Sequence, residues 1–341
     1  MTRRTIGLIG LGMAVAPHAQ SLEDLQGRVE VRAWSPSAER RRAFEERYDL
    51  PVVDELEAIA DDPAVTAVMI LTPPDARLEL VGQLAGKGKH LLMEKPLERT
   101  LEAAERVVAL TEAAGVTTGV VLQHRFREAA TELARRLADG ELGTLATVQL
   151  SVPWWRPQSY YDVPGRGTLA RDGGGVLITQ AIHSLDLMLS LTGPAAAVQA
   201  MGGTSAMHRM EGEDFMGGGI AFANGALGAV MATTTFHPGR AEQLVLAGTK
   251  GVAVLDGGRL TLDFLDGRSE TTGEAGGIGG GADPMAFSHE WHKAVITDFL
   301  DALDQGSAPR VTARDALHVH RLIDALLRSA EEGRRIEIAA L

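Results

Sequence analysis

Cysteine is absent from this 341-residue sequence, and no apolar run is long enough to form a membrane-spanning helix. Without cysteine the chain can have no disulfide framework, no thiolate metal site and no cysteine nucleophile. A spanning helix needs about 20 mostly apolar residues, so we expect no membrane partner. The lack of cysteine is compatible with the reducing cytoplasm, where we expect the protein to work.

Positive charge is also scarce. The sequence has 45 acidic and 33 basic residues, a formal net charge of -12, and one short basic cluster at Arg40, Arg41 and Arg42. A nucleic-acid-binding surface needs a basic patch or stripe, so we expect no nucleic-acid partner. Hydrophobic residues make up 45% of the chain, which is enough for a large core. The length predicts two domains.

The first 122 residues alternate short apolar or β-branched runs with amphipathic stretches. Apolar residues at three- and four-residue spacing predict crossover helices at Glu39–Tyr48, Ala76–Ala85 and Leu101–Ala114. The alternation predicts a doubly wound, parallel α/β sheet, the Rossmann fold, over residues 1–122. The predicted strands are Thr5–Ile9, Val29–Trp34, Ala67–Leu71, His90–Met93 and Thr117–Leu122.

After residue 122 the pattern changes, and residues 123–341 are predicted to form an α+β domain with a mostly antiparallel open sheet. Asn224-Gly225, Thr249-Lys250-Gly251 and Asp256-Gly257 separate strand-like runs and are typical of hairpin turns. These hairpins predict one meandering sheet. The other predicted elements are a helix at Glu128–Ala138, a strand at Thr144–Val152, a helix after Gly173–Gly175, a flexible loop at Gly273–Gly281 and two helices at His289–Leu303 and Ala313–Ala330.

Gly10-Leu11-Gly12 follows the first predicted strand and precedes a helix. In dinucleotide-binding folds this position brings backbone NH groups to a pyrophosphate at the helix N-terminus. The third glycine of the usual fingerprint is replaced by Val15, and a purely structural tight turn is the alternative interpretation. We predict that Gly10, Gly12 and Met13 contact a dinucleotide.

The second predicted strand is followed by Ser35 instead of the carboxylate that usually binds the ribose 2′-hydroxyl of NAD. Ser35 can hydrogen-bond a 2′-phosphate, and Arg40 or Arg41 can supply positive charge. This pattern favours NADP over NAD as the cofactor. The alternative is that the arginines only form a solvated basic face of a helix.

Lys95 follows the predicted strand His90–Met93, at the edge where open α/β sheets bind their ligands. Pro96 ends the strand and favours an extended backbone at Lys95. A lysine at this edge can take part in catalysis. The alternative is an ordinary charged loop residue.

Four motifs together resemble the glucose–fructose oxidoreductase/inositol dehydrogenase/rhizopine catabolism (Gfo/Idh/MocA) family: Gly10-x-Gly12, Thr72-Pro73-Pro74, Glu94-Lys95-Pro96, and Gly173–Gly175 leading to His183. The resemblance spans nearly the whole chain. It implies a Rossmann domain followed by a mostly antiparallel open-sheet domain, and NAD(P)-linked oxidation or reduction of a polyol, sugar or sugar derivative. It also implies that Lys95 and His183 are catalytic and contact the substrate, and that Thr72, Pro73, Glu94 and Lys95 contact the cofactor.

Around His183 the sequence departs from the family pattern. Many members carry Asp four residues before the histidine, where this chain has Thr179. We therefore expect Lys95 and His183 to transfer the proton without a carboxylate at that position, and Thr179 to contact the substrate. Asp186 lies three residues after His183 on a predicted helix, so its carboxylate can orient the imidazole ring. The alternative is a core histidine that is bonded to a carbonyl.

Residues 154–161 contain half of the four tryptophans and two of the three tyrosines. Aromatic rings beside an arginine suit saccharides, because sugars present apolar CH faces ringed by hydroxyls. We predict that Trp154, Arg156 and Tyr160 contact a carbohydrate or cyclitol substrate. The same composition is typical of subunit interfaces. An open sheet also leaves one face to be covered, which predicts a homodimer or homotetramer.

No metal site is predicted. His289 and His292 are three residues apart, but only Glu290 among the nearby acids can join them, and we interpret both as surface histidines at a helix start. The leading function is reversible hydride transfer between nicotinamide and a secondary alcohol or lactol carbon. The alternative is a non-catalytic regulatory protein that binds NAD(P) or a sugar. The presence of both Lys95 and His183 favours the enzyme.

Overall fold

The computed structural model describes residues 3–274 and 288–339. The chain forms two compact units, Met1–Gln123 with Ser288–Leu317, and His124–Phe287 with His318–Leu341. The first change of unit lies next to the predicted domain boundary at residue 122. Of the predicted loop Gly273–Gly281, residues 275–281 lie outside the described residues.

The first unit contains a parallel sheet of five strands in the order β2-β1-β3-β4-β5. The order reverses between β1 and β3, which is the switch point where doubly wound sheets bind their ligands. The parallel Rossmann sheet predicted from the sequence is therefore confirmed, with nearly the same strand bounds. The strands are β1 (Arg4–Ile9), β2 (Val29–Trp34), β3 (Val65–Ile70), β4 (His90–Glu94) and β5 (Thr118–Val121).

Two of the helices between these strands begin at a capping residue. Ser37 accepts a hydrogen bond from the Arg40 amide, and Thr100 accepts one from the Ala103 amide, so two helices have side-chain N-caps. The predicted helix Glu39–Tyr48 ends earlier than expected, at Glu45. The helices are α1 (Val15–Asp24), α2 (Ala38–Glu45), α3 (Glu57–Ala60), α4 (Leu78–Gly86) and α5 (Leu101–Ala113).

The second unit contains a nine-stranded, mostly antiparallel sheet in the order β13-β12-β11-β10-β6-β9-β8-β7-β14. The three predicted hairpin turns are present, since they join β8 to β9, β10 to β11 and β11 to β12. The strands are β6 (Leu145–Pro153), β7 (Ala195–Gly203), β8 (Phe215–Phe222), β9 (Leu227–Thr233), β10 (Gln243–Gly248), β11 (Gly251–Asp256), β12 (Arg259–Phe264), β13 (Ser269–Thr272) and β14 (Ile336–Glu337).

The prediction of a single meander was wrong in one respect. Strand β6 lies between β10 and β9, antiparallel to the first and parallel to the second. A turn motif predicts which consecutive strands pair, but it carries no information about a strand inserted from far away in the sequence.

Helices cover one face of this sheet. Helix α8 packs against β6, and α6 packs against β11 and β12. Met201 on β7 and Leu227 at the start of β9 are 79% and 62% exposed, so apolar side chains face outward in this unit. The remaining helices are α6 (Glu128–Ala138), α7 (Gln158–Tyr161), α8 (Ile182–Thr192), α9 (Glu290–Gln305) and α10 (Ala313–Glu332). In the described part of the chain, none of the helices has the length and apolar character needed to cross a membrane.

The segment 288–317, which the sequence prediction assigns to the second domain, groups with the first unit. Helix α9 packs against α1, and Phe299 lies against β5 at Gly119. Thr312 forms an antiparallel bridge with Gly119, and the Val120 amide donates to the Val311 carbonyl at 3.1 Å. This pairing extends the edge of the parallel sheet, which explains why a distant segment joins it.

Candidate active site

The turn after β1 is shaped for a close approach of two backbones. Gly10 has φ +102°, and an added Cβ there would lie 2.8 Å from the backbone at Leu71 and Thr72. Helix α1 follows without a side-chain cap and without an acidic residue in its first turn. Its backbone NH groups and its positive dipole end are therefore suited to a phosphate group. This geometry fits a dinucleotide pyrophosphate.

The residues predicted to select NADP lie beside this turn. The Arg40 guanidinium approaches Gly12, where an added Cβ would be 3.8 Å from its Nη1, and the Arg40 side chain is exposed. Arg41 instead donates to the Ser35 carbonyl at 2.7 Å and lies 3.7 Å from Asp54. Ser35 itself is buried. Of the two candidate arginines, Arg40 is thus the one placed to meet a ligand.

Arg77 fixes two loops at the carboxyl edge of the parallel sheet. Its guanidinium donates to the carbonyls of Thr72, Glu94 and Pro96. The side chain is only 1% exposed, and burial lowers its pKa to about 10. The Thr72-Pro73 loop and the Glu94-Lys95-Pro96 loop are therefore held together through their backbones.

Lys95 is half-buried and follows a carboxylate that is anchored to α1. Glu94 accepts hydrogen bonds from His18 Nε2 at 2.7 Å and from the Lys95 amide at 3.0 Å. Burial raises the pKa of Glu94, but the hydrogen bond from His18 and the nearby positive charges outweigh it and bring it to about 2. Glu94 thus links the helix of the glycine turn to the backbone of Lys95.

The interpretation of His292 as a surface residue was wrong. His292 is 3% exposed, and its ring packs edge-on against His18 at 4.8 Å. Burial, followed by the proximity of His18, lowers its pKa to about 3. The reason is that α9 packs on α1 and turns this face inward. His289 remains partly exposed and contacts Asp24 at 3.1 Å.

Two groups of described side chains are compact enough to hold a metal ion, His18 with Glu94 and His292, and Asp24 with His289 and Glu290. In the first group a hydrogen bond of 2.7 Å already joins His18 to Glu94, and in the second Lys293 donates to Asp24 at 2.9 Å. These contacts account for the proximity of the groups. The absence of a metal site stays a prediction.

In the second unit, the glycine-rich segment before His183 is required by a close backbone contact. A Cβ at Gly175 would lie 1.8 Å from the Glu213 carbonyl oxygen. The Glu213 carboxylate accepts hydrogen bonds from the amides of Gly175 at 3.1 Å and Leu177 at 2.9 Å. Burial raises the pKa of Glu213 despite these bonds. A π-helical turn, Leu177–Ala181, then leads into α8, and such turns are frequent at functional sites.

His183 lies in the first turn of α8 and is 7% exposed. Its ring stacks on that of His124, with centroids 5.0 Å apart and an interplanar angle of 29°. Asp186 forms a bidentate ion pair with Arg125 at 2.6 and 2.7 Å, and its suggested role in orienting His183 stays a prediction. A fully charged guanidinium is the stronger partner for a buried carboxylate.

The Thr179 hydroxyl lies 2.5 Å from the Gly175 carbonyl oxygen and also contacts Gln180. The Gln180 amide lies 3.5 Å from the Tyr160 hydroxyl, which brings part of the aromatic segment close to Thr179. Hydroxyl donation to the carbonyl one turn earlier is common for threonine in helices. Thr179 therefore has a structural partner already.

The aromatic segment is divided between buried and accessible side chains. Trp154 and Arg156 are buried, whereas Tyr160 is partly exposed. The guanidinium carbon of Arg156 lies 5.4 Å from the Trp154 ring and 5.6 Å from the Tyr160 ring. The Arg166 guanidinium carbon also lies over the Tyr160 ring, 4.1 Å from its centroid. Among the three predicted substrate contacts of this segment, Tyr160 is thus the one that the fold leaves accessible, and the Arg156 guanidinium contacts both its ring and that of Trp154.

Sequence reasoning missed His18, Arg77, His124 and Glu213. His18 lies one turn into the helix after the glycine turn and Arg77 lies just after Pro74, so both sit near motifs. Their partners are distant in the sequence, and no spacing rule identifies them. For Glu213 the only signal was the glycine cluster that it contacts.

Each of the two units contains a region that matches a known protein family. Residues 4–122 match the oxidoreductase family with an NAD-binding Rossmann fold, and residues 130–254 match the GFO/IDH/MocA C-terminal domain. The scyllo-inositol 2-dehydrogenase (NADP(+)) IolW of Bacillus subtilis is 25% identical and is matched over 97% of this chain and 95% of its own. The D-apiose dehydrogenase of Paraburkholderia graminis is 26% identical over 98% of this chain and 89% of its own.

Solved structures give the same result. The WlbA dehydrogenase from Bordetella pertussis, in complex with NADH and UDP-GlcNAcA, has a TM-score of 0.84 and 25% identity over 99% of this chain and 100% of that chain. Levoglucosan dehydrogenase, in complex with NADH and levoglucosan, has a TM-score of 0.86 over the same shares at 23% identity and shows the shared fold. With both of its units matched, the chain belongs to the Gfo/Idh/MocA family of oxidoreductases.

Proposed function

We propose that the protein is an NAD(P)-dependent dehydrogenase that acts on a secondary alcohol or lactol carbon of a sugar, cyclitol or sugar derivative. The substrate class follows the names of its relatives, which include inositol and apiose dehydrogenases. The observation that carries the proposal lies in the first unit. The uncapped N-terminus of α1 and the clamped loop that bears Lys95 occur at the same carboxyl edge of the parallel sheet.

The residues of this edge fit a nicotinamide dinucleotide. Gly10, Gly12 and Met13 would hold the pyrophosphate through backbone NH groups at the start of α1. The two loops clamped by Arg77 supply the other contacts, from Thr72, Pro73, Glu94 and Lys95. When bound, the nicotinamide accepts or returns the hydride.

NADP is the cofactor that we propose. The exposed Arg40 beside Gly12 offers a positive charge to a 2′-phosphate. Arg41 would support this group indirectly, because it holds the backbone at Ser35. The Ser35 side chain is a predicted cofactor contact that its burial makes less accessible.

Lys95 and His183 would move the proton. Oxidation of an alcohol carbon requires loss of the hydroxyl proton, and a positioned side chain accelerates such a step by about 10²–10⁴-fold. Lys95 would donate a hydrogen bond to the developing alkoxide oxygen. A neutral ring nitrogen of His183 would accept the proton, and the roles reverse in the direction of reduction.

Tyr160 would contact the substrate together with Thr179 and His183. Trp154 and Arg156 would act mainly by supporting the Tyr160 ring, because both are buried. The alternative, that this aromatic segment forms a subunit interface, predicts an altered oligomeric state and normal kinetics for Tyr160→Ala. The proposed role predicts a raised KM and an unchanged oligomeric state.

We also propose that the protein is a homodimer or homotetramer in the cytoplasm, with no nucleic-acid or membrane partner. The oligomeric state is supported by the outward face of the nine-stranded sheet, where Met201 and Leu227 are 79% and 62% exposed. Pairing two such faces would remove apolar surface from water. Light scattering at micromolar concentration should give a multiple of the chain mass, and a monomer would contradict the proposal.

The experiment for the function is a cofactor assay. The protein is incubated with NADP or NAD and a panel of pentoses, hexoses, inositols and sugar acids, and the absorbance of the reduced cofactor is followed. We expect turnover of at least one panel member that Lys95→Met abolishes. Tight cofactor binding without turnover of any panel member in either direction would favour the regulatory alternative.

A further inference from the structure

His124 has no role in the reaction proposed above, yet it lies directly against His183. The two rings stack with centroids 5.0 Å apart, and His124 is 3% exposed. His124 belongs to a 3₁₀ turn, Gln123–Phe126, that follows β5 in the sequence. A titratable ring in this position either competes with His183 for a proton or is prevented from doing so.

Arg127 contacts one ring nitrogen of His124. The Arg127 Nη2 atom lies 2.5 Å from His124 Nε2. A guanidinium group has donors only and stays charged at physiological pH, so His124 Nε2 must accept this hydrogen bond with its lone pair. A ring that accepts at Nε2 carries its proton on Nδ1 and is neutral.

A buried carboxylate completes the arrangement. Glu242 forms an ion pair with Arg127, and both side chains are nearly inaccessible, at 8% and 4%. Glu242 Oε1 also lies 4.0 Å from His124 Nδ1, on the side where the ring proton is located. Arg127 and Glu242 thus place one positive and one negative charge beside a neutral ring.

Two carboxylates on or near the helix of His183 also have described partners. Asp186, on the same helix, is neutralised by Arg125. Glu213 contacts the backbone two turns earlier, at Gly175 and Leu177. A positive charge on His124 would be an unbalanced neighbour of His183, and like charges at this distance oppose protonation.

We propose that His124 is a positioning residue for His183, a neutral ring that Arg127 holds in the Nδ1–H tautomer so that it orients the catalytic imidazole without competing for its proton. This inference rests on the proposed role of His183 as the base. The functional consequence is that one histidine of the pair, and not both, titrates with the reaction.

The direct test uses the wild-type protein and does not depend on activity. Nitrogen-15 NMR of histidine-labelled protein distinguishes the two tautomers of each ring. We expect His124 to show the Nδ1–H form and to remain neutral from about pH 5 to about pH 9, while His183 titrates within that range. An Nε2–H tautomer, or titration of His124 in that range, would overturn the proposal.

The variant Arg127→Met shifts the titration of His183 in opposite directions under two competing explanations. In Arg127→Met, His124 Nε2 is released and Glu242 can pair with a protonated ring. We expect the midpoint of His183 titration to move to lower pH, because the positive charge moves from Arg127 onto the adjacent ring. If Arg127 acted only through its own field, its removal would move the midpoint to higher pH.

The double variant His124→Phe/Arg127→Met is the control, since its second ring cannot be protonated. The shift to lower pH should disappear there, and its persistence would contradict the proposal.

If Arg127→Met does not fold, His124→Ala and His124→Phe provide the second test. We expect kcat to fall at least about tenfold in His124→Ala, with little change in KM, and the flat ring of His124→Phe to restore most of it. Equal effects of both changes would refute the positioning role.

These outcomes are separable from those of the proposed function. A normal kcat in His183→Ala would remove the catalytic assignment but leave the tautomer of His124 measurable by NMR. A His124 that titrates, in an enzyme that needs His183, would remove only the positioning role.

Discussion

Lys95 and His183 are held in different ways in their two units. Lys95 is positioned through the backbone, because Arg77 binds the carbonyls of the residues on either side of it and Glu94 binds its amide. His183 is positioned through side chains that come from other parts of the chain. Its ring stacks on His124, and the helix that bears it is anchored at Glu213.

This difference shows two ways of fixing a chemical group. A backbone clamp depends on one buried cation and tolerates changes in neighbouring side chains. A side-chain stack depends on every member that sets its orientation and charge. We therefore expect substitutions near Lys95 to lower mainly the free energy of unfolding. Substitutions near His183 should change mainly the pH midpoint of its titration and kcat.

The largest expected effect is that of Lys95→Met. We expect kcat to fall by about 10²–10⁴-fold, because the alkoxide loses its hydrogen-bond donor. Cofactor affinity, measured by fluorescence titration, should fall much less than kcat, because we propose that the glycine turn and the start of α1 bind the pyrophosphate. Lys87→Met, at an exposed ion pair in the same unit, is the control and should keep normal kcat. A loss of cofactor affinity as large as the loss of kcat would instead indicate that Lys95 acts mainly by binding the cofactor.

Arg77→Met tests the backbone clamp. The change leaves three carbonyl oxygens in the interior without this donor, and we expect it to lower the free energy of unfolding by about 2–4 kcal/mol. Urea denaturation measures the change, with exposed Arg106→Met as a control that should stay within about 0.5 kcal/mol. Equal stability of the two variants would show that the loops do not need the clamp.

Arg40→Ser tests cofactor selection in the same unit. We expect the Kd for NADP to rise about tenfold, which is about 1.4 kcal/mol for one charge-assisted contact, with little change for NAD. Arg42→Ser, on the same helix, should affect neither cofactor. Equal weakening of NADP and NAD would place Arg40 at the pyrophosphate and not at the 2′-phosphate.

Thr179→Ala has the smallest expected effect, a change in kcat below about threefold. Its hydroxyl is bonded to the Gly175 carbonyl, and a hydroxyl cannot act as a base near neutral pH. Steady-state kinetics measures the change, and wild-type-like kinetics in Thr179→Ser would show that any loss comes from the hydroxyl. A loss as large as that of Lys95→Met would reveal a proton path through this position.

The sequence predicted the parts of the fold that depend on local patterns. The strands of the parallel sheet follow from alternating apolar runs, and the place of Lys95 follows from its motif at a strand end. The insertion of β6 between β9 and β10 and the return of α9 to the first unit could not be predicted, because no local signal specifies pairing across a large sequence separation. The burial of His292 was missed for the same reason.

For the candidate site, too, the sequence predicted local motifs but not the contacts between distant segments. The glycines before His183 were recognised as part of a motif, but the Glu213 backbone, whose close approach requires Gly175, has no sequence signature. The spacing of His183 and Asp186 correctly indicated a shared region of the helix. It could not show that Arg125 binds that carboxylate, because helical spacing brings neighbours on one helix together and ignores competing partners from other elements.

We propose that Lys95 and His183 serve one proton-transfer step, although they are held so differently. The most direct measurement is the rate of hydride transfer in single turnovers of the wild type, Lys95→Met, His183→Ala and the double variant, on a sugar that the cofactor assay identifies. Groups that act as a unit are strongly non-additive, so the account predicts large losses in each single variant and little further loss in the double variant. A normal rate in His183→Ala, or losses that multiply in the double variant, would contradict it.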